Sequence, residues 1–190
     1  MLGKTEESVC GFVGMVVDKI MIVKLEFEYV GQSGESWEMF RGVHAVTVDS
    51  KGRIAVPARY RPLLQETHAS RVVVTIDTED PCLLMYPMGE WHSIEAKVEA
   101  LPSFNPVTRR IKRLLIGHAT ELELDSQGRV LLAILLREHA QLNKRVMLVG
   151  QGRKFEIWDE AQWLSQRQGW LEAGTFQSGE VPDEINEISV

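Results

Sequence analysis

The feature that most restricts how this 190-residue chain can fold is a segment that occurs twice. Residues 46–54 read VTVDSKGRI, and 76 positions later residues 122–130 read LELDSQGRV. Two apolar stretches downstream also match, 72–75 with 146–149 and 83–86 with 155–158. Because a repeat that keeps the order of its elements sets the whole architecture, we predict two copies of one small module.

Each copy has the same pattern of strand, turn, strand and helix. Asp, Ser and Gly in the DSKG and DSQG tetrads are turn residues, since Asp and Ser bond nearby amides and Gly accepts positive φ. The residues predicted to fix the two turns are therefore Asp49, Gly52, Asp125, Gly128 and Arg129. The second strands are predicted over 53–56 and 129–132, the helices over 58–66 and 134–141, and two more strands of the first copy over 71–76 and 83–86.

Two further helices, about 89–101 and 105–116, are predicted between the copies from their apolar spacing. The second carries the basic residues Arg109, Arg110, Lys112 and Arg113, which favour either a solvated face or a contact with phosphate or a neighbouring subunit. Four short strands bury little apolar surface by themselves. The two modules must therefore pair, within the chain or between chains, and we expect a mixed α+β, mainly β fold built as a two-fold barrel.

The charge distribution leaves a nucleic-acid partner open although the net charge is −6. Residues 39–75 hold six basic and two acidic side chains, a local charge of +4, whereas residues 1–38 and 167–190 are each −4. A basic face on an acidic protein is compatible with DNA binding and does not prove it. The sequence has no apolar run long enough to span a membrane. Its N-terminal apolar stretch lacks a basic leader and a small-residue cleavage site, so we expect no secretory signal. Cys10 and Cys82 are far apart, which favours reduced cytosolic thiols.

Several motifs in order resemble the MraZ family. They are MFRG at 39–42, DSKGR at 49–53, VPARYR at 56–61, TIDTEDPCLLMY at 75–86, LPSFN at 101–105, GHAT at 117–120, VGQG at 149–152 and FEIWD at 155–159. The resemblance covers about residues 39–165 without large gaps, and as a set the motifs are highly specific.

The resemblance implies two SpoVT/AbrB-type domains, at 43–85 and 114–157, in a double-split (swapped-hairpin-like) β-barrel from two tandem repeats with intervening helices. It places a helical connector at 86–113 and a C-terminal helix at 158–168. Separately, the acidic composition at 169–190, with Gly, Ser and Pro among the charges, predicts a disordered tail. The resemblance also implies a cytoplasmic, nucleoid-associated transcriptional regulator, a repressor, that assembles into homo-oligomeric rings. Such a ring binds direct repeats of double-stranded DNA upstream of the division and cell-wall gene cluster, which includes its own gene.

Two departures from the family pattern stand out. Leu132, Ala133 and Ile134 follow the strand of the second copy, where the family usually places a proline. Residues 1–38 have no counterpart in the family, so we expect an N-terminal extension with the natural start at Met39. Residues 24–29 alternate like an amphipathic strand, which favours the alternative that the extension is a genuine part of the protein.

The candidate DNA-binding residues are Lys51, Arg53, Arg41, Arg59 and Arg61. Arg53 is either paired with Asp49 to fix the turn or directed at DNA with Lys51 beside it, and the family's Asp-x-x-x-Arg motif supports the second alternative. Guanidinium groups bind guanine bidentately or clamp phosphate. Arg41, Arg59 and Arg61 are expected to contact phosphate, with a solvated surface as the alternative. Arg129 is assigned to turn structure.

Nothing in the sequence predicts an enzyme. The histidines are scattered without a metal-binding spacing, Gly150-Gln151-Gly152 is better explained as a hairpin turn than as a dinucleotide motif, and His118 is expected to be a core or interface residue. We therefore predict no catalytic residues, metal, cofactor, membrane contact or small-molecule substrate. The rival interpretation is an oligomeric scaffold or antitoxin-like module that binds protein rather than DNA.

Overall fold

The computed structural model describes residues 39–173, which form a mixed α+β fold whose strands lie mainly in one antiparallel sheet. The strands are β1 Phe40–Thr47, β2 Arg53–Ala55, β3 Arg71–Ile76, β4 Leu83–Pro87, β5 Thr120–Glu123, β6 Arg129–Leu131, β7 Arg145–Gly152 and β8 Lys154–Asp159. The helices are the 3-10 turn Ala58–Tyr60, α1 Arg61–His68, α2 Met88–Ala100, α3 Pro106–Ile111, the π-helical turn Lys112–Ile116, α4 Ile134–His139 and α5 Glu160–Ala173.

The strand order is symmetric between the two copies. The larger sheet has the order β1-β7-β8-β4-β3-β5, and exchanging each strand for its counterpart in the other copy reverses that order onto itself. The first strand of each copy is exchanged, since β1 pairs with β7 of the second copy and β5 pairs with β3 of the first. β2 and β6 form a separate two-stranded ribbon. Neither copy therefore completes its own sheet.

One apolar core lies between the ribbon and the larger sheet. Ile54, Val56, Val130 and Leu132 of the ribbon side are fully or almost fully buried in the same cluster as residues of β3, β4, β7 and β8. An aromatic trio closes the core at the start of β1, where the ring centroids of Phe40 and Phe155 are 4.4 Å apart and Tyr60 packs edge-on against both. The ribbon is thus held in place by packing, since its ladder is only three residues long.

Most of the predicted elements are present, with boundary shifts. The strand expected at 71–76 is β3, and the helix expected at 58–66 is a 3-10 turn followed by α1, which ends at His68 with Ala69 in the left-handed region. The helix at 105–116 begins at the Asn105 cap and passes into a π-helical turn at Lys112. The two-fold pairing of the copies is confirmed, but the pairing of the described strands gives two sheets and does not show a closed barrel.

The C-terminal prediction was wrong at both ends. Residues 158 and 159 belong to β8, because Trp158 is fully buried and pairs with Met147, and α5 then continues to Ala173. The first five residues of the stretch expected to be disordered, 169–173, are therefore helical. The remaining tail, the extension at 1–38 and Cys10 lie outside the described residues. Within residues 39–173, no helix is long and apolar enough to cross a membrane.

Gly150 has a different role from the one its sequence suggested. It lies within β7 opposite Gly42, and the hairpin instead reverses at Gly152 and Arg153, between the paired Gln151 and Lys154. A Cβ on Gly150 would lie 2.5 Å from the backbone nitrogen of Arg41. Gly150 is thus required for the close approach of the exchanged strand β1.

We expect Gly150→Ala to lower the free energy of unfolding by about 1–3 kcal/mol, because the added methyl group overpacks against rigid backbone. The matched control is Gly169→Ala in α5, where a Cβ would have nothing within 4 Å. That change should raise stability by about 0.5–1 kcal/mol through helix propensity. Urea unfolding followed by circular dichroism measures both variants, and equal stabilities would contradict the assigned role of Gly150.

Candidate nucleic-acid interface

The turn between β1 and β2 is organised by one carboxylate. Asp49 Oδ1 accepts hydrogen bonds from the backbone amides of Lys51 and Arg53, each 2.9 Å long. The amide of Gly52 donates to the carbonyl of Asp49 at 2.9 Å, which closes the turn. Gly52 has φ +86°, a left-handed conformation that costs glycine no steric strain. The predicted turn chemistry is therefore present.

The second copy repeats this geometry almost atom for atom. Asp125 Oδ1 accepts from the amides of Gln127 at 2.9 Å and Arg129 at 3.0 Å, and Gly128 has φ +72°. In each copy the arginine also donates through its side chain to the other carboxylate oxygen. The Nε atoms of Arg53 and Arg129 lie 2.7 and 2.8 Å from Oδ2 of Asp49 and Asp125, and both Nη2 atoms lie at 2.7 Å.

These hydrogen bonds favour the charged form of both carboxylates. The pKa of Asp49 is lowered to about 2, first by the backbone hydrogen bond from Arg53 and then by its guanidinium and the Lys51 amide. The pKa of Asp125 is lowered to about 2 first by the side-chain hydrogen bond from Arg129 and then by the backbone amides. Both carboxylates therefore stay ionised far below neutral pH and hold their arginines in a fixed direction.

The β2–β6 ribbon brings the two turns together. Its register pairs Arg53 with Leu131, Ile54 with Val130, and Ala55 with Arg129. Because side chains alternate across a strand and Ile54 and Val130 are buried, the other four side chains share the outer face. We call each Asp–Arg pair, Asp49 with Arg53 and Asp125 with Arg129, a clamp. The two clamps also contact each other, since the Nη1 atom of Arg53 lies 3.7 Å from Asp125 Oδ2. We call the side chains of Arg53, Ala55, Arg129 and Leu131 the outer ribbon face.

Arg61 lies over the turn of the opposite copy rather than its own. Its Nε donates to the Val56 carbonyl at 2.9 Å, and a Cβ on Gly128 would lie 2.3 Å from its Cδ. Arg137 does the same in the second copy, donating to Leu132 and covering Gly52. Sequence analysis did not assign Arg137 to the site, although the repeat alignment pairs it with Arg61. Each turn is thus flanked by an arginine from the other copy.

Arg41 and Arg59 form a separate cluster at the start of β1. The Arg59 guanidinium donates to the Arg41 carbonyl, lies 2.9 Å from His44 Nε2 and stacks 4.4 Å from the centre of the Tyr60 ring. Both arginine side chains are exposed. The structure therefore divides the five predicted DNA-binding residues: Lys51 and Arg53 belong to one turn, Arg61 to the other, and Arg41 and Arg59 to this cluster.

Parts of the connector's basic cluster have structural partners. Arg109 donates to the carbonyls of Ser103 and Phe104, and Lys112 donates to those of Glu99 and Leu101. Arg110 and Arg113 are exposed on the same segment. His118 is half-buried, with Nδ1 2.9 Å from the Leu114 carbonyl. Among residues 39–173, no group of histidine, cysteine, aspartate and glutamate side chains has the geometry of a metal site.

The fold and this site define a class of protein: a tandem repeat in which two strand-exchanged modules present paired Asp–Arg turns on a shared ribbon. Sequence comparison gives the family. A model of the family described as "MraZ protein, putative antitoxin-like" matches residues 39–114 and again residues 115–180. The chain belongs to the MraZ family, and the two matched segments confirm the duplication found in the sequence.

Three relatives with similar sequences are each named transcriptional regulator MraZ. The protein from Coxiella burnetii is 51% identical over 152 residues, which is 80% of this chain and 100% of the relative. The Legionella pneumophila and Klebsiella pneumoniae proteins are 49% and 50% identical over the same length and coverage. These relatives are named regulators and not enzymes.

We expect the two aspartates to make stability depend on pH between about 4 and 2. Their pKa falls from 3.8 in the unfolded reference to about 2 in the folded protein. The unfolded chain therefore binds more protons in this window, and stability contributed above pH 4 is lost as the pH falls towards 2. The variant Asp49→Asn with Asp125→Asn keeps the Oδ1 acceptors and should flatten this part of the profile. An unchanged slope in urea unfolding from pH 2 to 5 would contradict the assignment.

Proposed function

We propose that this chain is a sequence-specific DNA-binding transcriptional regulator, a repressor of the division and cell-wall gene cluster that includes its own gene. It acts in the cytoplasm on the nucleoid and binds direct repeats as a homo-oligomeric ring. The names of its relatives support regulation of transcription. The observation that supports a DNA-binding surface is the arrangement of the outer ribbon face. The side chains of Arg53 and Arg129 are held by carboxylates, are only 26% and 27% exposed, and lie on the same side of the ribbon.

Each clamp leaves part of its guanidinium for a ligand. Asp49 and Asp125 take up the Nε and Nη2 edges of Arg53 and Arg129. Arginine has five N–H donors, so three remain, and guanine offers the O6 and N7 acceptors in the major groove. An arginine fixed in advance loses less side-chain entropy on binding. Since the two clamps have the same geometry, we extend the proposed DNA contact to Arg129, beyond its role in the turn.

The neighbouring basic residues suit the phosphate backbone. Lys51 is exposed at the tip of the first turn, where the second copy has the neutral Gln127. Arg61 and Arg137 flank the turns and use their Nε atoms within the protein, which leaves their Nη groups to contact phosphate. Arg41 and Arg59 are exposed in their own cluster and would bind phosphate farther along the duplex. Such contacts position the protein without reading sequence.

A single ribbon would touch only a few base pairs and bind weakly. A ring presents several ribbons, and binding of the second is then effectively intramolecular. Repeats about 10 base pairs apart would place adjacent subunits on one face of the duplex. Occupied repeats would then exclude RNA polymerase. In this proposal the ribbon and the six-stranded sheet, which share one core, together form the double-split barrel that the resemblance implies.

One observation favours the rival function, an oligomeric or antitoxin-like module that binds protein. Leu131, Ile134 and Leu135 are 53%, 61% and 71% exposed and lie close together at the end of β6 and the start of α4. Clustered apolar side chains on a surface are typical of protein interfaces. The family description includes the words antitoxin-like. The experiment below distinguishes the two functions.

We expect Arg53→Ala and Arg129→Ala each to weaken binding to the DNA upstream of the chain's own gene by at least about tenfold, as for loss of a bidentate guanine contact. Lys51→Ala should weaken operator and scrambled DNA equally and reduce the salt dependence. The matched control is Arg71→Ala, which removes the same charge from an exposed pair with Glu121 in the larger sheet. Gel shifts at two salt concentrations measure all four variants.

Two results would count against the proposal. If the unmodified protein binds operator and scrambled DNA alike at both salt concentrations, the protein-binding module becomes the better explanation. If the protein is specific but Arg53→Ala and Arg129→Ala behave like Arg71→Ala, DNA binds elsewhere. Size-exclusion chromatography with light scattering on each variant verifies that the assembly is unchanged.

A further inference from the structure

The two strands of the ribbon are related by an approximate two-fold axis, and this symmetry affects the direction in which the ribbon can bind along DNA. Its register is centred on the pair Ile54–Val130, and the repeat relates Arg53 to Arg129 and Ala55 to Leu131. Rotation about that centre therefore exchanges the two clamps. The backbone of a DNA duplex has two-fold axes of its own. A perfectly symmetric ribbon would consequently lie on the duplex equally well in either direction.

The outer ribbon face breaks this symmetry at one pair of positions. The residue opposite Arg53 is Leu131, whereas the residue opposite Arg129 is Ala55. Leu131 is 53% exposed, and Ala55 is half-buried. Each end of the face therefore carries a guanidinium group. The residue opposite it has an isobutyl side chain at the Arg53 end and a methyl side chain at the Arg129 end.

We propose that Leu131 is a specificity-determining residue that binds the C5 methyl group of a thymine beside the guanine bound by Arg53, and so fixes the direction of the ribbon on DNA. This inference rests on the proposed DNA-binding function. Thymine alone of the four bases presents a methyl group in the major groove, and apolar side chains read it. Directly paired residues of antiparallel strands have Cβ atoms about 5 Å apart, and successive bases of one strand rise about 3.4 Å. Leu131 is thus within reach of a base next to that of Arg53.

The position of Leu131 favours DNA over protein as its partner. Ile134 and Leu135 are also exposed, but they lie on the first turn of α4. Leu131 belongs to the ladder itself, on the face that carries both clamped arginines. A ligand seated on those arginines would cover Leu131 as well. A protein partner on the three apolar residues remains a separate outcome of the test.

The test removes the methyl groups from the DNA. Duplex DNA from upstream of the chain's own gene is prepared with occasional deoxyuridine in place of thymidine, bound and free fractions are separated, and uracil positions are mapped by glycosylase cleavage. We expect uracil to be depleted from the bound fraction at one thymine in each bound repeat, beside the guanine contacted by Arg53 and not beside the guanine contacted by Arg129. The loss should be up to about fourfold per site, as expected for one buried methyl group.

Protein variants assign that thymine to Leu131. Leu131→Ala should abolish the uracil effect while guanine contacts persist. In the exchanged variant, Leu131→Ala with Ala55→Leu, the leucine lies opposite Arg129, so the ribbon should bind in the reversed direction and restore the uracil effect at the same thymine. Ile134→Ala is the matched control and should keep the pattern of the unmodified protein. Circular dichroism and light scattering verify folding and assembly of each variant.

The remaining outcomes overturn the inference in distinguishable ways. Specific binding with no uracil effect, or with the same effect in Leu131→Ala, would refute the role of Leu131 and leave the proposed function standing. An assembly altered by both Leu131→Ala and Ile134→Ala, with an unchanged thymine pattern, would assign the apolar residues to a protein interface. Absence of specific DNA binding by the unmodified protein would remove the proposed function and this inference together.

Discussion

Each copy of the repeat gives its first strand to the sheet of the other copy, and the remaining structure depends on this exchange. β1 is bound along its length to β7, and β5 is bound to β3. The chain segments that leave β1 and β5 turn out of the larger sheet and pair with each other as the β2–β6 ribbon, which packs on the other side of the core. Three-residue strands would not be stable alone. They are held because Ile54 and Val130 are completely buried beneath them. The site is therefore a consequence of the exchange.

The carboxylates of Asp49 and Asp125 combine two roles that sequence analysis treated as alternatives. One oxygen of each bonds the backbone amides of the turn, and the other bonds the guanidinium of Arg53 or Arg129. The ion pair fixes the turn and also directs the arginine. Because an ion pair that water still reaches contributes little to stability, orientation is the more substantial effect of the side-chain contact. The pairing of Arg53 thus supports the proposed DNA contact instead of competing with it.

What the sequence predicted and what it missed have different physical origins. The duplication, the turns and β3 depend on local chemistry, namely glycine at positive φ, aspartate bonding to amides, and continuous apolar strands. The close approach at Gly150 and the crossing of Arg61 to the opposite turn depend on contacts between the copies. Those contacts exist only after strand exchange, so no local pattern contains them. The length of α5 was missed because the acidic composition after position 169, with Gly, Ser and Pro among the charges, was interpreted as disorder, whereas the helix continues to Ala173.

Comparison of the two copies shows which positions the fold constrains. Four matched pairs have the same residue in both copies and make equivalent contacts. They are Asp49 and Asp125, Gly52 and Gly128, Arg53 and Arg129, and Arg61 and Arg137. The buried ribbon positions exchange one apolar residue for another, as with Ile54 and Val130. Three pairs around the ribbon that differ in chemistry, Lys51 with Gln127, Ala55 with Leu131 and Arg59 with Leu135, have an exposed member. The ribbon thus combines a symmetric buried side, which packing constrains, with an asymmetric exposed side, which packing leaves free to differ and on which the proposed DNA contact depends.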